Sequence, residues 1–133
     1  MILVDTSVWI DFLKGANSPQ RSLLHHLIED DEDLSLTGII LTEILQGIKD
    51  DKDFRAVKDI LLEFPIYQSK AIETYLKAAD IYRTCRKQGK TVRKTVDCLI
   101  AAICLENNLT LLHKDSDFDR IQACLPLKCL AVK

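Results

Sequence analysis

Ile2-Leu-Val-Asp-Thr-Ser-Val-Trp-Ile-Asp11 decides how this chain is read. An unbroken apolar run makes a brief buried strand, and the carboxylate of Asp5 ends it. Thr6 or Ser7 can then cap a short helix to about Lys14, closed by Gly15. The same alternation continues outward. Pro19 starts a helix carrying Leu23, Leu24, Leu27 and Ile28, and Leu34-Ser-Leu36 reads as a strand. Thr37 can cap the next helix, with Ile40, Leu41, Ile44, Leu45 and Ile48 on one stripe. A helix over about 53–63, a short strand around Ile66 and a long helix over about 70–88 follow. Thr95 opens a helix to about Glu106, and Thr110-Leu-Leu112 is a strand. A short helix over about 115–123 and a strand from Leu127 to Leu130 complete the pattern. Short apolar strands separated by helices predict an α/β fold, a short parallel β-sheet flanked by α-helices on both faces. Residues 1–133 are expected to form one such domain.

Composition narrows the class. The chain has 133 residues, 47% hydrophobic and 29% charged, which suits an ordinary globular domain and argues against disorder. Its longest apolar run, Cys98 to Leu105, is far below the roughly 20 residues of a bilayer span. Met1-Ile-Leu-Val-Asp5 has no basic leader region, so a cytoplasmic protein without a membrane anchor is expected. The 18 basic and 20 acidic side chains exclude nucleic-acid affinity driven by overall charge, though not a local basic patch. The five cysteines form no C-x-x-C pair and read as reduced and structural. Glu29 to Asp33 and Asp50 to Asp53 read as solvated acidic stretches.

Four other carboxylates stand apart. Asp5 and Asp115 follow strands, where the carboxyl edge of a parallel sheet places ligand sites. Glu43 lies beside the apolar stripe of the helix after Leu36. Asp97 lies near the start of a helix apolar on every face, where a carboxylate is costly unless paired or metal-bound. Each has a plainer role open to it: helix capping for Asp5 and Asp115, the helix dipole for Asp97, the surface for Glu43. Anions gathered in one crevice would repel one another, and a divalent cation resolves that conflict. Oxygen ligands alone favour Mg²⁺ or Mn²⁺.

Read together, these stretches resemble the PIN-domain ribonucleases, in particular the VapC-type toxins of toxin–antitoxin pairs. The opening ten residues are similar to the family's first strand and first acid. Leu41-Thr-Glu-Ile-Leu-Gln-Gly47 resembles the helix with the second acid, and Val92-Arg-Lys-Thr-Val-Asp-Cys-Leu-Ile-Ala-Ala102 the third. Leu111-Leu-His-Lys-Asp-Ser-Asp-Phe118 resembles the fourth, in order along the chain. The resemblance implies Mg²⁺- or Mn²⁺-dependent endonucleolytic hydrolysis of RNA at Asp5, Glu43, Asp97 and Asp115. Asp117 is the alternative fourth acid, with Asp119 close behind, and Thr6 or Ser7 can support the metal site. Asp5 and Asp97 are the expected central ligands. Attack by metal-activated water would leave 5′-phosphate and 3′-hydroxyl ends. His113 is expected to orient the Asp115 loop rather than act as a base.

Arg83, Arg86, Lys87, Lys90, Arg93, Lys94 and Lys114 flank the acids and are candidate RNA phosphate contacts. A small antitoxin and a second copy of the chain are the partners the resemblance implies. Trp9, Phe12 and Tyr82 read as core or interface before base-stacking groups. Two other functions compete: a non-catalytic RNA- or partner-binding module of the same fold, and a receiver-type phosphoacceptor domain. The receiver reading wants an aspartate after the third strand, where Tyr67-Gln-Ser69 stands instead.

Overall fold

The computed structural model describes residues 1–132; Lys133, the last residue of the expected domain, lies outside the described residues. The elements run β1 (Ile2–Val4), α1 (Thr6–Lys14), α2 (Pro19–Glu29), β2 (Leu34–Thr37), α3 (Gly38–Gln46) and α4 (Asp51–Leu61). They continue with β3 (Ile66–Tyr67), α5 (Ala71–Lys87), α6 (Thr95–Asn107), β4 (Thr110–Leu112), α7 (Ser116–Cys124) and β5 (Lys128–Cys129). The strands form one sheet in the order β3-β2-β1-β4-β5, and every pair is parallel. β1 is central, with Leu3 opposite Ser35 of β2 on one side and Leu111 of β4 on the other.

This order fixes the layers. Stepping from β1 out to β3, right-handed crossovers lay α1 to α4 on one face; stepping back through β4 to β5, they lay α5 to α7 on the other. The helix packing agrees, with α1 against α2 and α3, and α5 and α6 both against α7. A sheet covered on both faces must be apolar on both, and Leu3, Val4, Leu36, Leu111 and Leu112 have no exposed surface. α6 lies deepest among the helices, buried from Asp97 to Cys98 and from Ile100 to Cys104. No described helix is long and apolar enough to cross a membrane.

Most helix ends follow local chemistry. Ser18 caps α2 ahead of Pro19, Thr37 caps α3 by accepting the Ile40 N–H at 3.0 Å, and Asp50 caps α4. Gly15 ends α1 with φ +68°, a conformation open to glycine without steric cost. The short strand around Ile66 is present as Ile66–Tyr67. Two local expectations change. The Leu127 to Leu130 strand shortens to Lys128–Cys129, because it lies at an edge with one neighbour to pair with. Asp5, not Thr6 or Ser7, occupies the N-cap of α1, and its side chain makes no capping bond. Those hydroxyls are used elsewhere, at the carboxylates. The acidic stretches Glu29–Asp33 and Asp50–Asp53 are exposed, and the five cysteines are free thiols.

Candidate metal centre

The chain leaves β1 toward β2 but leaves β4 toward β5, so the two central strands diverge at their carboxyl ends. A crevice opens at such a switch point. Asp5 emerges there from β1, and Asp115 emerges from β4 as the N-cap of α7, accepting the Asp117 N–H at 2.9 Å. α6 brings Asp97 in its first turn. One carboxylate oxygen each from Asp97, Asp115 and Asp117 lies within 4.8 Å of the other two. Asp5 and Glu43 lie outside this trio: the Asp5 charge reaches Asp97, the Glu43 charge reaches Asp5, and both side chains are tied down by neighbouring hydroxyls. Ser7 Oγ donates to Asp5 Oδ2 at 3.0 Å, and Thr6 Oγ1 donates to Glu43 Oε1 at 2.7 Å. Asp119 stands outside, its side chain 71% exposed beside His113. The His113 ring accepts the Asp115 N–H through Nδ1 at 3.1 Å, so it holds the Asp115 loop as its position suggested.

Burial and like charge raise two of these acids. Asp5 is pushed up to about 6, chiefly by burial, with the Glu43 charge adding to it and the Ser7 hydrogen bond opposing. Asp97 is pushed up to about 8 by burial, by a hydrogen bond shared with Asp117 and by the Asp5 and Asp115 charges. Asp115 and Asp117 go the other way. Burial would raise both, but Lys94 outweighs it at Asp115 and the Arg93 and Lys94 donors outweigh it at Asp117.

Asp117 has no exposed side-chain surface, and its oxygens are crowded with donors. Oδ1 accepts from Arg93 Nε at 3.1 Å and Arg120 Nη1 at 2.8 Å. Oδ2 accepts the backbone N–H groups of Arg93 at 3.2 Å and Lys94 at 3.1 Å. Asp117 therefore pins the segment entering α6 onto α7. Its donor Arg120 was not among the sequence candidates, although Asp117 and Arg120 stand at the i,i+3 spacing that lets helix neighbours meet.

The expected basic patch divides accordingly. Arg93 and Lys94 face carboxylates, Lys114 pairs with Asp11 of α1, and Arg86 lies 5.6 Å from the centre of the Tyr82 ring. Arg83, Arg86 and Lys87 are exposed near the end of α5, and Lys90 is half-buried beyond it. Trp9 is core, 1% exposed and packed on Phe64 at 5.3 Å, which removes it as a base-stacking group.

A divalent cation suits these residues. The donors are all carboxylate oxygens, the set preferred by hard cations. Asp97 Oδ2 is buried and has no hydrogen-bond partner, an expensive arrangement for a polar atom unless a cation completes it. The raised acids also set a pH dependence. In the metal-free protein Asp5 and Asp97 hold protons that the unfolded chain releases near the ordinary aspartate value of 3.8. Their contribution to stability is complete below that value and is lost as pH rises through about 6 and about 8. Calorimetry in EDTA should show Tm falling by roughly 10 °C or more from pH 5 to pH 8.5, since Asp5 loses about one pH unit of this stabilisation and Asp97 about three, a few kcal/mol together. Added Mg²⁺ should recover it at pH 8.5 and do little at pH 5.

Comparison with known proteins places this geometry. The sequence matches the PIN domain over residues 2–123. The chain belongs to the PIN-domain family. Ribonuclease VapC11 of Mycobacterium tuberculosis is 33% identical to this PIN domain over 122 residues, 91% of each chain. The VapBC2 structure from Rickettsia felis, bound to a DNA fragment from its promoter, superposes with TM-score 0.75 at 18% identity, covering 98% of each chain. A toxin–antitoxin complex from Klebsiella pneumoniae superposes with TM-score 0.70 at 18% identity, covering 89% of this PIN domain and 90% of that chain. The expected parallel α/β architecture is thus the PIN fold.

Proposed function

We propose that this PIN domain, over residues 1–133, is an endoribonuclease and the toxin of a toxin–antitoxin pair. It holds Mg²⁺ or Mn²⁺ through Asp5, Glu43, Asp97 and Asp115 and works in the cytoplasm. The observation that carries the reading is Asp97: a buried carboxylate with an unpartnered oxygen, at the switch point, beside two further carboxylates. Kinship with a protein named as a ribonuclease supports RNA as the substrate. When bound, the cation acidifies water and neutralises the phosphate under attack. Thr6 and Ser7 keep Glu43 and Asp5 oriented, and His113 holds the Asp115 backbone. Asp117 is the anchor of this arrangement rather than its fourth ligand, since four nitrogen donors already use its oxygens.

Arg83, Arg86, Lys87 and Lys90 offer the RNA backbone a cationic flank, while Arg93, Lys94 and Lys114 reach it only by leaving a carboxylate partner. The proposed partners are a small antitoxin and a second copy of the chain, and one apolar surface open to a partner is the groove of about 440 Å³ lined by Ile10, Leu13, Ile44, Ile48 and Val57. Another is the exposed apolar face of α5, where Ile72, Tyr75 and Leu76 are 66%, 52% and 61% exposed.

Purified protein incubated with RNA tests the activity. Internal cleavage with Mg²⁺ or Mn²⁺, none with EDTA, and 5′-phosphate with 3′-hydroxyl ends are expected. Fragments ending in 2′,3′-cyclic phosphate, made equally well in EDTA, would reject the metal-dependent reading.

A further inference from the structure

The Lys94 ammonium sits among the carboxylates. Its Nζ is 2.7 Å from Asp115 Oδ2 and 3.7 Å from Asp97 Oδ2, the oxygen that lacks a hydrogen-bond partner. Asp115 and Asp97 come from different elements, so the ammonium bridges the start of α6 and the start of α7. The Asp5 charge reaches it as well, from the end of β1. Its backbone is fixed, because its N–H donates to Asp117 at 3.1 Å, while its side chain is 57% exposed. The residue therefore combines an anchored main chain with a flexible charged arm. Arg93 differs: its guanidinium and its N–H both bind Asp117, so it is tied at both ends.

We propose that Lys94 is an exchangeable counter-ion, which pairs with Asp115 beside Asp97 in the metal-free protein and is displaced by the arriving divalent cation. The inference rests on the metal-centre reading above. The physical basis is competition for the same oxygens. A half-exposed ammonium holds a carboxylate weakly, and a divalent ion brings twice the charge to the same place. Carboxylates without either cation would repel one another, so Lys94 keeps the acids assembled until the metal arrives. Once displaced, its ammonium is released at the mouth of the crevice, where a phosphate-bearing substrate enters. An available cation at that position thus appears only after the metal has bound.

Two measurements test the exchange. Electron paramagnetic resonance of free Mn²⁺ gives the affinity of wild type, Lys94→Met and Lys94→Ala, with circular dichroism to check folding. Acylation by an N-hydroxysuccinimide ester, read by mass spectrometry, gives the reactivity of Lys94 with and without saturating Mg²⁺. The exposed Lys52 and Lys77 serve as internal references. Both variants should bind Mn²⁺ roughly fivefold more tightly, the upper end for a half-exposed ion pair. Lys94 labelling should rise severalfold on Mg²⁺ saturation while the references stay constant. Unchanged or weaker Mn²⁺ binding by the variants overturns the exchange, as does constant Lys94 labelling in metal-saturated wild type. A wild type that binds no Mn²⁺ overturns the metal-centre reading itself, a result distinct from both.

Discussion

Asp97→Asn is expected to lower RNA cleavage by roughly 10³-fold, on the scale of losing a principal charge-stabilising group, while making the metal-free protein more stable at pH 8.5. The two effects have one cause. Asp97 is 4% exposed and held near pKa 8 by burial first and by neighbouring acids after it. At pH 8.5 its carboxylate is charged in a place that disfavours charge. Asparagine has the same shape without the charge, and its amide N–H can replace the proton that Asp97 shares with Asp117. Removing the charge relieves the fold and removes a group that holds the cation. The stability gain should be a few kcal/mol at pH 8.5, smaller at pH 5, and absent only below about pH 4, where the unfolded chain's Asp97 is protonated as well. Calorimetry in EDTA at both pH values, beside a cleavage assay, checks this. A variant less stable than wild type at pH 8.5 would show that Asp97 serves the fold, and the metal-centre argument would lose its main support.

Asp117→Ala should have the largest effect on stability, a loss of about 3 kcal/mol, at the lower end for breaking a buried ionic network because Arg93 and Arg120 keep partial access to water. The backbone N–H groups of Arg93 and Lys94 lose their acceptor as well, since both donate to Asp117 Oδ2. An N–H left without an acceptor bears its full desolvation penalty. Total stabilities of small domains are about 5–15 kcal/mol, so this is a large fraction. Urea unfolding of wild type and Asp117→Ala measures it. Mn²⁺ affinity should drop with the same variant, because the segment carrying Lys94 and Asp97 loses its anchor. A stability cost under about 1 kcal/mol together with lost Mn²⁺ binding would instead make Asp117 a direct metal ligand.

Much of this molecule follows from local patterns. Ile2-Leu-Val4 and Thr110-Leu-Leu112 are strands because short apolar runs stop at polar residues, and both lie in the sheet where the sequence puts them. Ser18, Thr37 and Gly15 mark helix ends by chemistry that acts over three or four residues. Asp5, Glu43, Asp97 and Asp115 stand out because each carboxylate follows a strand or sits on a buried helix, and strand–helix alternation sends those positions toward the carboxyl edge of the sheet.

The choice among Asp115, Asp117 and Asp119 was beyond such patterns. Asp115 is the N-cap of α7 and Asp117 and Asp119 lie in its first turn, too close together for strand–helix periodicity alone to decide among them. Tertiary packing turns Asp117 inward beneath Arg93 and Arg120, leaves Asp119 in solvent, and sets Asp115 against Lys94. The basic cluster shows the same limit. Composition places cations near the acids, but which of them meets a carboxylate depends on distances across 21 to 103 residues of chain. The hydroxyls of Thr6 and Ser7 leave helix capping for Glu43 and Asp5 for a related reason. Backbone periodicity is a short-range property and can be read from the chain alone. Ion pairing falls steeply with separation, so its partners are decided only when distant segments are folded together.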